Sequence, residues 1–230
     1  MSPADPEPVA VAILAKAPIP GLVKTRLIPV LGPDGAAALQ ERFIARAVEA
    51  AIATEIGPVT LWLSPDAHHP ALCALAARYR LRLREQPAGD LGARMHAAFT
   101  NADGAAIVIG TDCPALMPQH LRSAAEALRT GVDAVLIGAE DGGYVLIGLR
   151  QPQPELFTGL IWSTGNVADE TRRRMEQLGL NWCELPPLWD VDRPEDIARM
   201  RREGFDGMLA ASIERPEARI GARRRHCEEQ

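Results

Sequence analysis

Short apolar runs alternate with helix-patterned segments along most of the chain, and at one point two such runs follow each other with only a tight turn between them. Val9 to Ala15 (VAVAILA) reads as a buried strand, and Asp34 to Thr54 as a helix with Asp34 as its N-cap. Strands are expected at Val59 to Leu63, Leu81 to Arg84 and Ala105 to Ile109, with helices at Ala71 to Tyr79, Asp90 to Asn101 and Pro118 to Thr130. Val132 to Gly138 and Tyr144 to Leu149 are the two runs with no helix between them. A helix at Val167 to Leu178, a short strand at Trp182 to Leu185 and a helix at Pro194 to Glu203 complete the pattern. Alternation of this kind demands an α/β fold whose mostly parallel sheet is covered on both faces, and the direct connection makes one strand antiparallel. Ligands of such sheets bind beyond the carboxyl ends of the strands, so the loops after Ala15, Leu83, Ile109 and Leu185 are expected to converge.

At 230 residues the chain suits one main domain. That domain is expected over 9–204, with a flexible start at 1–8 and a partly disordered extension at 205–230, where Arg219 to Arg225 form a solvated basic stretch. No apolar run nears the roughly 20 residues of a membrane span, and the N-terminus lacks a basic segment followed by a long apolar one. The expectation is a cytoplasmic protein without a membrane span. A formal charge of -5 argues against nucleic acid as partner, and the sequence sets no oligomeric state. Cys73, Cys113, Cys183 and Cys227 show no C-x-x-C spacing, so neither zinc nor a disulfide framework is supported.

Directly after the first strand, AKAPIPGLVKTRL places Lys16, Lys24 and Arg26 among residues that break regular structure. Gly21 lets the backbone turn N–H groups toward a ligand, and the three cations can meet several phosphate oxygens together. The loop reads as a binder of a nucleotide diphosphate or triphosphate, although it fits neither G-x-x-x-x-G-K-[ST] nor G-x-G-x-x-G. A solvated strand-to-helix connection is the structural alternative.

IVIGTDCPAL puts Asp112 just past a buried strand, the leading position for a ligand to Mg2+, which binds through one or two carboxylates plus substrate phosphates. WDVDRPEDI supplies a second acidic group: Asp192 suits either a metal ligand or a helix cap, and Asp190 lies one strand period away. Gly89, Asp90, Leu91 and Gly92 open a helix that carries Arg94 over the site, with Asp90 at least an N-cap. Glu140-Asp141-Gly142-Gly143-Tyr144 reads as a plain hairpin, or as one whose Asp141, Gly142 and Gly143 hold a hydroxylated acceptor or sugar beside Tyr144. Trp162 in WST suits an apolar wall for the same substrate, or the core. His68, His69 and His96 have no metal-ligand spacing, and Cys113 beside Asp112 is read as a packing residue.

Taken in order, AKAPIPGLVKTRL, GDLGARM, IGTDCPAL, EDGGYVLIGL, WST and WDVDRPEDI resemble a bacterial family of nucleotide-diphospho-sugar transferase-like proteins (DUF2064, GT-A-type glycosyltransferase-like), over roughly residues 9–203. That family is similar to the molybdenum-cofactor and 2-phospholactate guanylyltransferases. The resemblance implies a GT-A three-layer sandwich and use of Mg2+, with Mn2+ as its substitute. It assigns nucleotide binding to Lys16, Gly21, Lys24, Thr25, Arg26, Gly89, Asp90, Leu91 and Gly92, and metal binding to Asp112 and Asp192. Arg193 stands where the related helix start has Thr, and a full D-x-D is absent because Gly110 precedes Thr111 and Asp112. Two reactions follow, with Lys24, Arg26 and Asp112 as the catalytic set: glycosyl transfer from an NDP-sugar to a small-molecule acceptor, or nucleotidyl transfer from an NTP with release of pyrophosphate. Nucleotide binding without turnover is the third reading.

Overall fold

The computed structural model describes residues 6–210, and the expectations for residues 1–5 and for the basic tail lie outside them. Seven strands, β1 (Ala10–Lys16), β2 (Val59–Ser64), β3 (Arg82–Glu85), β4 (Ala106–Ile109), β5 (Ala134–Ala139), β6 (Tyr144–Leu149) and β7 (Trp182–Leu188), form one sheet. Their order is β3-β2-β1-β4-β6-β5-β7, and β6 alone runs antiparallel to its neighbours, as the missing crossover helix requires. The helices are α1 (Ile28–Ile52), α2 (Pro70–Tyr79), α3 (Leu91–Thr100), α4 (Pro118–Arg129), α5 (Val167–Gln177), α6 (Pro194–Arg202) and the short α7 (Gly207–Ala210). None is long and apolar enough to cross a membrane among the described residues.

The period-two alternation of each strand sorts its side chains between two cores. Val11, Ile13 and Ala15 of β1, with Ile107 and Ile109 of β4, pack with Ile44, Val48, Leu72, Leu121 and Leu128 from α1, α2 and α4. Ala12, Val108 and Leu136 turn to the other face and meet Met95, Phe99 and Met175 from α3 and α5. Central strands buried on both faces explain why their sequences read as unbroken apolar runs. A third cluster, built on Leu39, Phe43, Trp189, Val191, Ile197 and Met200, joins α1 to α6 at one end of the sheet.

Two local expectations are corrected. Helical residues begin at Ile28, break at Gly32 with φ 69° and ψ 169°, and resume through Pro33, so Asp34 stands inside the helix rather than capping it. Pro33, with its fixed φ, is suited to the first position after the break. β7 runs past Leu185 to Leu188 through Pro186 and Pro187, which an edge strand tolerates because one row of its N–H groups has no partner to lose. Residues 205–210 stay on the domain: Phe205 packs edge-on to Trp189 with ring centroids 5.9 Å apart, and Arg42 donates to the Met208 carbonyl.

The β5–β6 turn is docked against the loop before α5. Ala168 N–H donates to Gly142 O at 2.9 Å, and a Cβ on Gly142 would fall 1.9 Å from Gly165 O. Gly142 also has φ +88°. Gly142→Ala should therefore cost about 2–3 kcal/mol in urea unfolding, through both clash and backbone strain. Gly104→Ala, at φ +108° with nothing within 4 Å, should cost only about 1 kcal/mol, the strain alone. Equal losses would show that the turn is not held against Gly165.

Candidate functional site

A cleft of about 870 Å3 opens at the carboxyl ends of the parallel strands. It lies where the strand order turns back on itself, because the chain leaves β1 toward β2 and β3 and then returns to place β4 on the other flank of β1. Lys16 ends β1 and residues 22–26 follow it, Gln86 follows β3, Gly110 to Asp112 follow β4, and Trp189, Asp190 and Asp192 follow β7; all line this cleft. The four loops expected to converge do so. Because β5 runs parallel to β7, its turn residues Glu140 and Asp141 reach the same rim.

The first loop is shaped by its Pro-Gly pair. Leu22 N–H donates to Ile19 O at 3.0 Å, with Pro20 and Gly21 (φ +81°) at the centre of a type II turn. Lys24 then takes a left-handed conformation, φ 47°, before a single 3-10 turn at Thr25–Leu27. Such backbone persists in a non-glycine residue only where its surroundings hold it. Here the side chain is 4% exposed: Nζ meets Asp112 Oδ1 at 2.8 Å and donates to Val191 O at 2.6 Å, 5.2 Å from the centre of the Phe43 ring. Lys24 thus sits beneath the site, against Asp112, while Lys16, Thr25 and Arg26 stay exposed. Among the described residues no acceptor meets the N–H groups of Val23, Lys24, Thr25 and Arg26, which leaves them available to an anion.

Opposite this loop stand the carboxylates. Asp112 is half-exposed, accepts from Thr111 Oγ1 at 3.1 Å and has its backbone carbonyl bonded by Val191 N–H at 2.8 Å. Burial, and then the negative charges of Asp141 and Asp112, push the Asp190 carboxyl up to about 6, with Lys24 opposing. Asp192 pairs with Arg26. Its side chain is not committed to capping: Arg193 is the N-cap of α6, and Asp196 Oδ2 accepts from the N–H groups of Arg193 at 2.7 Å and Asp192 at 2.9 Å. The cap falls one residue after Asp192 because Asp196 occupies N3, the position that reaches back. Asp141 bonds its own turn through Gly143 N–H at 2.9 Å.

The other wall is apolar with polar inserts. Leu91, Arg94 and Met95 of α3, Tyr144 and Trp162 line it, and Tyr144 Oη donates to Met95 Sδ at 3.6 Å. Burial raises the Tyr144 phenol, so it stays protonated. Asp90 caps α3 by accepting from Ala93 N–H at 2.8 Å. Gly92 admits the wall itself, since a Cβ there would lie 2.7 Å from Phe157 O and 2.8 Å from Trp162 Cζ2. Gly21, Gly89, Asp90, Gly92 and Gly142 shape the backbone behind the cleft and do not line it. Cys113 is pushed up to about 12 by burial and is inert as a thiolate.

Three contributors went unrecognised in the sequence. Gln86 and Gln40 are buried at 9% and 3% exposure. Gln86 Nε2 donates to Ala15 O and Trp62 O at 3.0 and 2.9 Å, while its Oε1 accepts from Arg94 at 3.2 Å. Arg199 grips Glu140 with both terminal nitrogens, at 2.5 and 2.9 Å, and lies 4.6 Å over the Trp189 ring. The one readable signal was Gln40 itself, a polar residue set among Ala36, Phe43, Ile44 and Ala47 on the apolar face of α1.

With that geometry in hand, comparison with solved structures defines the class: an α/β fold shared by nucleotide-sugar and nucleotidyl transferases. A candidate nucleotide-diphospho-sugar transferase of Desulfovibrio desulfuricans G20 is 28% identical, with a TM-score of 0.76 over 88% of this chain and 92% of that one. The 4-diphosphocytidyl-2C-methyl-D-erythritol synthase of Anaerococcus prevotii DSM 20548 is 10% identical (TM-score 0.58, 86% and 96% covered). Glucosyl-3-phosphoglycerate synthase of Mycobacterium tuberculosis, solved with Mn2+, UDP and glucosyl-3-phosphoglycerate, is 13% identical (TM-score 0.55, 94% and 82% covered). These last two share the fold. The chain belongs to DUF2064, a family described as uncharacterized protein conserved in bacteria, whose profile matches residues 47–164. No curated protein sequence matches it.

The raised Asp190 carboxyl has a stability consequence. The folded state holds this proton more tightly than the unfolded chain, so stability is lost as pH rises from about 4 through about 6 and the deficit is complete above that. Asp190→Asn removes the deficit. After discounting for solvent screening, it should raise unfolding stability by about 1–2 kcal/mol near pH 7.5 and leave it unchanged near pH 4. An equal effect at both pH values would contradict the assigned environment.

Proposed function

We propose that the protein is a divalent-metal-dependent transferase that moves a glycosyl group from an NDP-sugar to a small-molecule acceptor in the cytoplasm. One observation carries this reading: a single cleft sets the cationic loop of Lys16, Lys24 and Arg26 against Asp112, Asp190 and Asp192 at the point where the strand order reverses. The 28% identity to the Desulfovibrio protein, named as a candidate nucleotide-diphospho-sugar transferase, supports it.

The carboxylates fit a hard cation. Among the described residues no group of three or more His, Cys, Asp or Glu side chains is placed to hold a metal ion by itself. Mg2+ asks for less, since it takes one or two carboxylates and completes its shell with phosphate oxygens and water. Burial raises the Asp190 proton affinity most, and the carboxylates of Asp141 and Asp112 raise it further; that added negative charge is what a cation would offset. Asp112 and Asp192, with Asp190 beside them, would hold it, and when bound it neutralises the charge that develops on the departing diphosphate. Lys16, Arg26 and the amides of residues 23–26 bind the phosphates, and Lys24 contributes its buried charge from beneath Asp112. The acceptor lies against Asp141, Gly143, Tyr144 and Trp162, which line one side of the cleft.

A second reading, nucleotidyl transfer from an NTP with release of pyrophosphate, is favoured by the loop itself, whose cations and unpaired amides suit a triphosphate. 31P NMR with Mg2+, NTPs and NDP-sugars in a pool of extract acceptors separates the readings. Free NDP that depends on acceptor is the expected product; pyrophosphate would select the second reading. Nucleotide binding with no product would select a non-catalytic role. Asp112→Ala should lower turnover about a hundredfold or more, and unchanged turnover would remove Asp112 from the reaction.

A further inference from the structure

Two of the few buried polar side chains, Gln40 and Thr111, are bonded to each other, and the chain of bonds ends on Asp112. Gln40 Nε2 lies 3.1 Å from Thr111 Oγ1 and 3.4 Å from the Lys16 carbonyl. That carbonyl fixes which end of the amide faces this way, since the opposite orientation would set Oε1 against another oxygen. Nε2 has only protons to give, so Thr111 Oγ1 accepts from it. The single hydroxyl proton of Thr111 must then go to its remaining neighbour, Asp112 Oδ1, at 3.1 Å. Lys24 Nζ donates to the same Oδ1 at 2.8 Å.

Both donors therefore fall on one carboxylate oxygen. Oδ2 is left without a protein donor among the described residues, on a side chain that is 49% exposed in the cleft. We propose that Gln40 is a positioning residue which, through Thr111, fixes the rotation of the Asp112 carboxylate and presents Oδ2 as its cation-binding oxygen. The inference rests on the reading of Asp112 as a metal ligand. It extends that reading to a residue of α1 that reaches Asp112 only through Thr111, 71 positions further along the sequence. Groups that orient a ligating carboxylate in this way set metal affinity through geometry and polarity rather than through contact.

The test is Mn2+ binding to the full chain, followed by electron paramagnetic resonance with UDP or CTP present, together with thermal unfolding. Gln40→Met keeps the volume and removes the donor, and Thr111→Val removes the relaying hydroxyl. Each should weaken Mn2+ binding about tenfold, and the double variant should lose no more than either single one, because the two act in series. Thr111→Ser, which keeps the hydroxyl, should bind Mn2+ as the parent does. Thr54→Val is the control for a lost buried hydroxyl: its Oγ1 bonds Ala51 O at 2.6 Å, remote from the cleft. Its Mn2+ affinity should be unchanged.

Parent-like Mn2+ affinity in Gln40→Met or Thr111→Val overturns the inference and leaves the functional reading standing. A loss in Thr54→Val equal to that in Gln40→Met also overturns it, by assigning the effect to general destabilisation. No Mn2+ binding by the parent with either nucleotide overturns the metal reading itself, and this inference with it.

Discussion

The ion pair between Lys24 and Asp112 is the contact on which the rest of the cleft is assembled. An ammonium that is 4% exposed is tolerable only with its charge matched and its protons shared, and Asp112 and the Val191 carbonyl provide both. The same Val191 peptide returns a bond from its N–H to the Asp112 carbonyl. Three segments far apart in sequence, the loop after β1, the end of β4 and the segment after β7, are joined through one buried charge. The left-handed backbone of Lys24 is the local cost of aiming it inward.

Around this centre the polar groups are arranged in supporting shells. Gln40 and Gln86 flank the end of β1, bond the successive carbonyls of Lys16 and Ala15, and each orients one group of the cleft: Asp112 through Thr111, and Arg94 directly. Farther out, Arg26 with Asp192 and Arg199 with Glu140 bind the rim together. The exposed pairs contribute little to folding stability. Their consequence is electrostatic: each tethers a cation to a carboxylate on the rim, so the paired charges offset each other there. Lys16 and Arg94, without carboxylate partners among the described residues, keep the strand β1 side positive, while Asp190 lies on the opposite side with the carboxylates of Asp141 and Asp112.

Much of the scaffold was legible from residue patterns because it follows from local rules. Strand periodicity gave all seven strands, and the missing helix between residues 138 and 144 gave the antiparallel member. Pro-Gly chemistry gave the turn at Gly21, and Asp90 was rightly read as an N-cap. The errors arose where a neighbouring residue competed for the same local role. Gly32-Pro33 overrode Asp34 as a helix start, and Asp196 took the capping role that was one of the two alternatives open to Asp192.

The sequence by itself determined the α/β class, the carboxyl-end location of the loops and the identities of the charged residues gathered there, because each depends on periodicity or turn chemistry within a few residues. Only the tertiary structure decided what those charges do to one another. Whether Lys24 faces solvent or Asp112, whether Asp192 caps a helix or meets Arg26, and that a glutamine in α1 bonds a threonine after β4 are settled by contacts 71 to 166 residues apart. No local rule reaches that far: burial and the balance of charge are properties of the closed sheet, and they exist only once the strands have been set in order.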